Sequence, residues 1–204
     1  MKDESAVKLV ERGYNKIYER YQKNRKGNRN EISNLARLLK RGSQVLDVGC
    51  GSGYISKLLS EKGFQVTGID ISKNMLKLAK NNAPKAKFYR MDMRKLKFPK
   101  KSFDAITSFY SIIHVPRKYH YLILRRMNLM LRPKGFLLIT VGKTSSEGYT
   151  DDNWMRLGST MYWSHFDIKE NLKLIRQAGF RVLWYRIVGP KNDRHPVVLA
   201  QKRE

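Results

Sequence analysis

The chain has one cysteine, Cys50, in 204 residues. A lone thiol forms no internal disulfide, and a zinc site built on cysteines is excluded. The four histidines, His114, His120, His165 and His195, do not fall at metal-ligand spacing. No uninterrupted apolar run approaches the roughly 18 residues of a membrane span. The opening "MKDESAVKLVERG" lacks the apolar core of a signal peptide. These absences lead to the expectation of a cytoplasmic protein with no metal and no membrane partner. Acidic residues are also scarce: 17 against 42 lysines and arginines, a formal charge of +25. Such a surplus attracts nucleic acid, anionic lipid or acidic small molecules, or is a surface habit of the proteome. Basic residues are densest in "KNRKGNR" (23–29) and "RKLKFPKK" (94–101).

What is present reads as one domain. A compact chain of this length buries roughly 70% of its unfolded surface and needs no staples. Short β-like runs, "QVLDV", "FQVTGID", "AKFYRM", "FDAITSF", "GFLLITV", "FRVLWYRI" and "PVVLAQ", alternate with helical patterns. That alternation predicts an α/β, doubly wound parallel sheet with helices on both faces. The last two runs flank "GPKNDRHP" and read as an antiparallel hairpin. Ser72 is placed to cap one helix, Asp167 with Glu170 forms a capping-box pattern for another, and Gly179 ends it. "RPKG" reads as a tight turn between helix and strand. The expected organisation is an N-terminal helical cap (1–40), a core (41–141), a lid (142–166) without strong periodicity, and a C-terminal helix and hairpin (167–204).

The stretch "VLDVGCGSGYISKLL" (45–59) carries the strongest chemical signal. A strand delivers the chain to the C-terminal edge of the sheet, where Gly49, Gly51 and Gly53 allow a sharp turn into a helix with a bare backbone. Ligands of open α/β sheets bind at that edge. No G-K-[ST] follows, so the loop is not a P-loop. From Gly51 a loose G-x-G-x-x-S remains compatible with a dinucleotide. Asp47, two residues ahead of the first glycine, opposes a pyrophosphate and suits a ligand bearing an ammonium and a sulfonium. Asp70 ends the next strand, where a carboxylate accepts ribose hydroxyls. Asp92, in "RMDMR", is placed to accept from an adenine amine between Met91 and Met93.

"VLDVGCGSG", "GIDIS", "MDM", "FDAITSF" and "RPKGFLLIT" together resemble the class I S-adenosylmethionine-dependent methyltransferases. The resemblance implies a Rossmann-like seven-stranded sheet whose last hairpin strand is antiparallel, and S-adenosyl-L-methionine as cofactor. It implies Asp47, Gly49, Gly51 and Gly53 around the methionine end, Asp70 with Ile71 at the ribose, and Asp92 with Met93 at the adenine. Cys50 stands where the family tolerates a small residue and reads as packing. "SFYS", with Ser108 and Tyr110, matches the stretch facing the transferable methyl. The family's D-P-P-Y or N-P-P-Y of nucleobase amino-methylation is absent.

Methyl transfer is an in-line displacement that demands alignment of the acceptor and exclusion of water. His114, in "SIIHVPR", is a candidate base or a loop-orienting side chain. On the first helix Val7, Val10, Tyr14, Ile17, Tyr18 and Tyr21 share a face, which either packs on the sheet or closes over the cofactor with a Tyr14 or Tyr18 hydroxyl on its carboxylate. Trp154, Tyr162 and Trp163 of the lid, with Tyr110, either wall an acceptor pocket or plug the lid onto the domain. The leading expectation is methylation of O or N on a small molecule. The alternatives are a tRNA or rRNA methyltransferase, favoured by the charge, a non-catalytic cofactor-binding subunit, and an NAD-dependent oxidoreductase.

Overall fold

A computed structural model describes residues 3–23, 27–189 and 194–203. The middle of the first basic patch and the tip of the C-terminal hairpin lie outside these residues. Two helices open the chain, α1 (Asp3–Lys23) and α2 (Arg29–Ala36). The core then alternates β1 (Gln44–Val48), α3 (Tyr54–Glu61), β2 (Gln65–Asp70), α4 (Lys73–Asn82), β3 (Lys87–Arg90), β4 (Phe103–Ser108), α5 (His120–Met130) and β5 (Leu131–Thr140). After β6 (Ser146–Asp151) and β7 (Met161–His165) come α6 (Ile168–Gln177), β8 (Phe180–Val188) and β9 (His195–Lys202).

Seven strands form one sheet in the order β3-β2-β1-β4-β5-β9-β8. All neighbours pair in parallel except β9, which runs antiparallel to both β5 and β8. The strand order reverses between β1 and β4, and a crevice at the C-terminal ends of those strands follows from that reversal. Two apolar layers cover the sheet. Leu46, Ile106, Ile123, Met127 and Ile139 belong to one, and Val45, Leu59, Ala105 and Leu138 to the other. Alternate residues of β1 and β4 feed opposite layers, as the period of a strand requires.

The punctuation works as its residue types dictate. Ser72 Oγ accepts from the Met75 amide (3.1 Å) and caps α4. Asp167 accepts from the Glu170 amide (2.9 Å) and caps α6. Pairing jumps from Phe103↔Leu131 to Ala105↔Phe136, so "RPKG" is a looped-out bulge with Lys134 in the left-handed region.

The lid differs from a structureless loop: β6 and β7 form a separate two-stranded ribbon. Its residues are mostly exposed on β6 and show no alternation, so no strand period is visible in the sequence. The ribbon is held by packing on α1, whose Gly13 would place a Cβ 2.9 Å from both the Met161 side chain and the Thr160 carbonyl. Helix α1 is tied to the body by Asn15. Its Oδ1 accepts from Ser72 Oγ (2.8 Å) and the Asn74 amide (3.1 Å), and its carbonyl accepts from Asn74 Nδ2 (2.8 Å). Glu11 pairs with Arg90, and Glu4 with Arg94, at the β3 end of the sheet. Alpha1 is thereby fixed as a roof over the crevice. Among the described residues no helix is long and apolar enough to cross a membrane, and no group of three metal-ligating side chains occurs.

Candidate functional site

Below that roof lies a cavity of about 670 Å³. Its floor is Gly49, Gly51, Asp70 and Ile71 at the tips of β1 and β2, and Asp92 and Met93 beyond β3. Val7, Val10, Tyr14 and Tyr21 descend from α1, and Tyr110, Ser111 and His114 close the side after β4. A second cavity of about 460 Å³ shares Gly49, Gly51, Tyr21 and Phe109 and continues past Asn28, Asp47 and Ser52.

The three glycines do different things. A Cβ on Gly49 would sit 2.3 Å from Ser111 Cβ, and one on Gly53 would sit 2.8 Å from Ala79 Cα, so both allow close packing. A Cβ on Gly51 would meet nothing within 4 Å. Gly51 has φ +52° and lines both cavities, so the space it leaves is ligand space.

The carboxylates are held differently as well. Asp47 is fully buried and takes hydrogen bonds from Ser56 Oγ (2.7 Å) and Thr107 Oγ1 (2.9 Å). Desolvation outweighs those bonds and pushes its carboxyl up to about 6. Asp70 takes one backbone N–H on each oxygen, from Gly51 and from Ser72, both at 2.8 Å. It therefore locks the glycine loop to the end of β2 and keeps a lone pair on each oxygen for a ligand. Burial raises its pKa. Asp92 is gripped by its neighbour: Arg94 Nε and Nη2 both donate to Oδ2 (2.8 and 2.7 Å), and the Arg94 amide donates to Oδ1 (2.8 Å). Oδ1 keeps room for one more donor.

His114 is buried and bonded at both nitrogens. Its Nδ1 lies 2.8 Å from the Tyr162 carbonyl oxygen. A carbonyl only accepts, so Nδ1 carries the proton and Nε2 of the neutral ring is the lone-pair nitrogen. The Tyr14 hydroxyl, 2.9 Å away, donates to it. Both rings line the larger cavity. Ser111 Oγ donates to the Val48 carbonyl (3.0 Å) and accepts from Ser108 Oγ (2.7 Å), so Ser111 faces the cavity and Ser108 stands behind it. Tyr110 lines the cavity from a left-handed backbone (φ +53°), a strained position for a non-glycine residue.

Residues 45–135 match the family model described as a methyltransferase domain. Phosphoethanolamine N-methyltransferase 3 of Arabidopsis thaliana is 34% identical over 171 residues, covering 81% of this chain and 33% of that protein. The chain spans from a third to about three-fifths of the length of the first curated relatives it matches. An S-adenosylmethionine-dependent methyltransferase structure from Methanosarcina mazei superimposes with a TM-score of 0.73 at 25% identity, over 85% of this chain and 97% of that one. The 1,6-didemethyltoxoflavin N1-methyltransferase of Burkholderia thailandensis, solved with its substrate and S-adenosylhomocysteine, superimposes with a TM-score of 0.79 at 20% identity. It covers all of this chain and 92% of its own. Residues 45–135 are thus a methyltransferase domain, in a chain with the fold of the class I S-adenosylmethionine-dependent methyltransferases.

The cofactor of this methyltransferase family, S-adenosylmethionine, meets a fitting set of residues here. Gly51 leaves open space at the junction of the two cavities. Asn28 walls the smaller one, and its Oδ1 is buried without a hydrogen-bond partner. An orphan acceptor beside the buried Asp47 matches a ligand's ammonium. Asp70 and Asp92 keep acceptor capacity on the side of the larger cavity.

Several expected residues take other places. Tyr18 does not reach the cavity: its hydroxyl donates to the exposed Glu19 (2.7 Å), and Tyr21 lines the wall instead. Tyr21 lies about 20° around the helix from Tyr14, and Tyr18 about 40° to the other side. Gly53 and Ser108 act from behind the wall. Cys50 is buried in the smaller cavity's wall, and burial pushes its thiol pKa up, so it is not a thiolate. Trp154, Tyr162 and Trp163 do not line the large cavity. Trp163 packs tilted against His114 with ring centroids 4.3 Å apart, Trp154 packs on Tyr14 and Tyr21, and Tyr162 is buried against Ala6 and Val10. The lid aromatics thus plug the ribbon onto α1 and back the Tyr14–His114 pair.

Proposed function

We propose that this chain transfers a methyl group from S-adenosylmethionine to an oxygen or nitrogen of a small-molecule acceptor. The observation that carries the reading is the chain of bonds from Tyr14 Oη to His114 to the Tyr162 carbonyl, in the same cavity as Gly51, Asp70 and Asp92. When bound, the cofactor supplies an activated methyl on sulfur. The protein's share is alignment, desolvation and management of one proton. An O–H or N–H acceptor must lose a proton, and Tyr14 and His114 are set to take it. His114 Nε2 is the sink, and the Tyr162 carbonyl holds the imidazolium through Nδ1–H. Asp70 and Asp92 anchor the adenosine, and Asp47 and Asn28 the amino-acid end.

In this reading residues 1–40 are the cap, 41–141 the cofactor core, 142–166 the lid, and 167–204 the closing helix and hairpin. The printed activities of similar proteins, methylation of phosphoethanolamine and of a toxoflavin precursor, support a small acceptor. The charge of +25 favours a second reading, methylation of RNA. One experiment separates them. Radiolabelled S-adenosylmethionine is incubated with a small-metabolite pool and with total tRNA and rRNA, using wild type and Tyr14→Phe. Label in the metabolite fraction, lowered at least ~100-fold by Tyr14→Phe with cofactor affinity retained, supports the proposal. Label confined to RNA overturns it.

A further inference from the structure

Beyond the reaction cavity, an open surface groove lies between the β6–β7 ribbon, the loop after β5 and the start of β9. One layer of rings divides the two. Trp163 lines the groove and contacts His114 (4.3 Å), and His195 lines the groove and contacts Tyr110 (5.3 Å). Tyr149 and Trp163 are cross-strand partners on that ribbon, with ring planes 15° apart and centroids 6.5 Å apart. They give the groove two near-parallel faces for a flat ligand. Lys143 and Arg194 stand at its exposed rim, against one acid, Asp151. His165 is 92% buried, and its Nδ1 donates to the Thr144 carbonyl (2.6 Å). Nε2 of the neutral ring is therefore an acceptor, in a side chain that lines the groove.

Resting on the methyltransferase reading above, we infer that this groove is a second binding site beside the reaction cavity and that it takes a planar aromatic or heteroaromatic acid. The ring lies on Trp163 and Tyr149, the acid group meets Lys143 and Arg194, and an O–H or N–H on the ring donates to His165 Nε2. Neither cation alone would make a site; the chemistry comes from two cations, two parallel rings and a buried acceptor on one groove, a single ring layer from His114.

The test is a ligand-observed NMR titration of the full chain saturated with S-adenosylhomocysteine. The probes are 4-hydroxybenzoate, its neutral isostere 4-hydroxybenzamide, and cyclohexanecarboxylate, an acid without a π face. The expected result is at least tenfold tighter binding of 4-hydroxybenzoate than of either control. The surface variant Lys143→Glu/Arg194→Glu removes that preference and leaves S-adenosylhomocysteine affinity unchanged. Equal binding of the amide, no binding up to 10-millimolar order, or a preference that survives the double variant overturns the inference. If wild type fails to bind S-adenosylhomocysteine at all, the methyltransferase reading itself falls, and if it binds the cofactor product but not the acid, only the groove assignment falls.

Discussion

Replacing Asp47 by Asn tests the electrostatics of the glycine loop directly. The Asp47 carboxyl is fully buried and shifted to about 6, against about 3.9 in an unfolded chain. Two units at about 1.36 kcal/mol each amount to about 3 kcal/mol. Because the native state binds this proton more tightly, the group stabilises the fold most below pH ~4. That contribution is lost as the pH rises through about 6. Asn is nearly isosteric and does not titrate, and the Ser56 and Thr107 hydroxyls can turn to suit it. Urea denaturation of both proteins from pH 4 to 7.5 should therefore give a stability difference that changes by about 2–3 kcal/mol across the window, in favour of Asn at the high end. Any fixed loss from altered hydrogen bonds cancels in that change. Saturating S-adenosylmethionine should move the wild-type inflection to lower pH, since a nearby ammonium favours the carboxylate. Curves that stay parallel within about 0.5 kcal/mol would refute the reasoning, because Asp47 would then titrate like a solvated acid.

Asp70→Ala should weaken S-adenosylmethionine binding by at least ~1.5 kcal/mol in a calorimetric titration, as hydrogen bonds to a charged group contribute about that much and the Gly51 anchor is lost as well. Gly51→Ala and Gly53→Ala should separate: the first keeps its fold within about 1–2 kcal/mol of left-handed strain but loses cofactor, whereas the second also drives a Cβ into Ala79 and loses more stability in thermal melts. Asn28→Ala should weaken S-adenosylmethionine and S-adenosylhomocysteine about tenfold yet leave 5′-methylthioadenosine, which lacks the amino-acid end, unchanged; an equal loss for all three would place Asn28 elsewhere. His120 is buried and held neutral, with its pKa lowered to about 4 by desolvation. Its contribution is present above about pH 6.5 and disappears as the pH falls through about 4, so His120→Asn should flatten the acid limb of stability curves over that range.

The floor of the large cavity was legible because local sequence patterns alone position it. The strands β1, β2 and β4 announce themselves by their apolar content, and the residue at each strand's C-terminal tip must face the crevice once the sheet order reverses between β1 and β4. Asp70 and Asp92 needed no tertiary information beyond that. What tertiary packing decides was not legible. Asp47 reads as a carboxylate facing a cationic ligand, yet only the fold shows that Ser56 and Thr107, nine and sixty residues on, already bind its oxygens. Tyr18 and Tyr21 flank Tyr14 on a helical wheel, and the approach of α1, set by Asn15 on Ser72 and by Gly13 on Met161, chooses Tyr21. Asn28 carries a mild clue, an N-cap residue type ahead of α2, but it makes no side-chain cap bond and its unpaired oxygen appears only in three dimensions. The ribbon β6–β7 is the clearest case: its strands lack alternation because neither belongs to the main sheet, and their order comes from α1 and from the packing of Trp163 against His114. Residues of the cavity floor obey strand and turn rules shared across the sheet, whereas the Tyr14–His114 pair on its wall is set by a contact between distant segments, a 2.9 Å bond across a hundred residues.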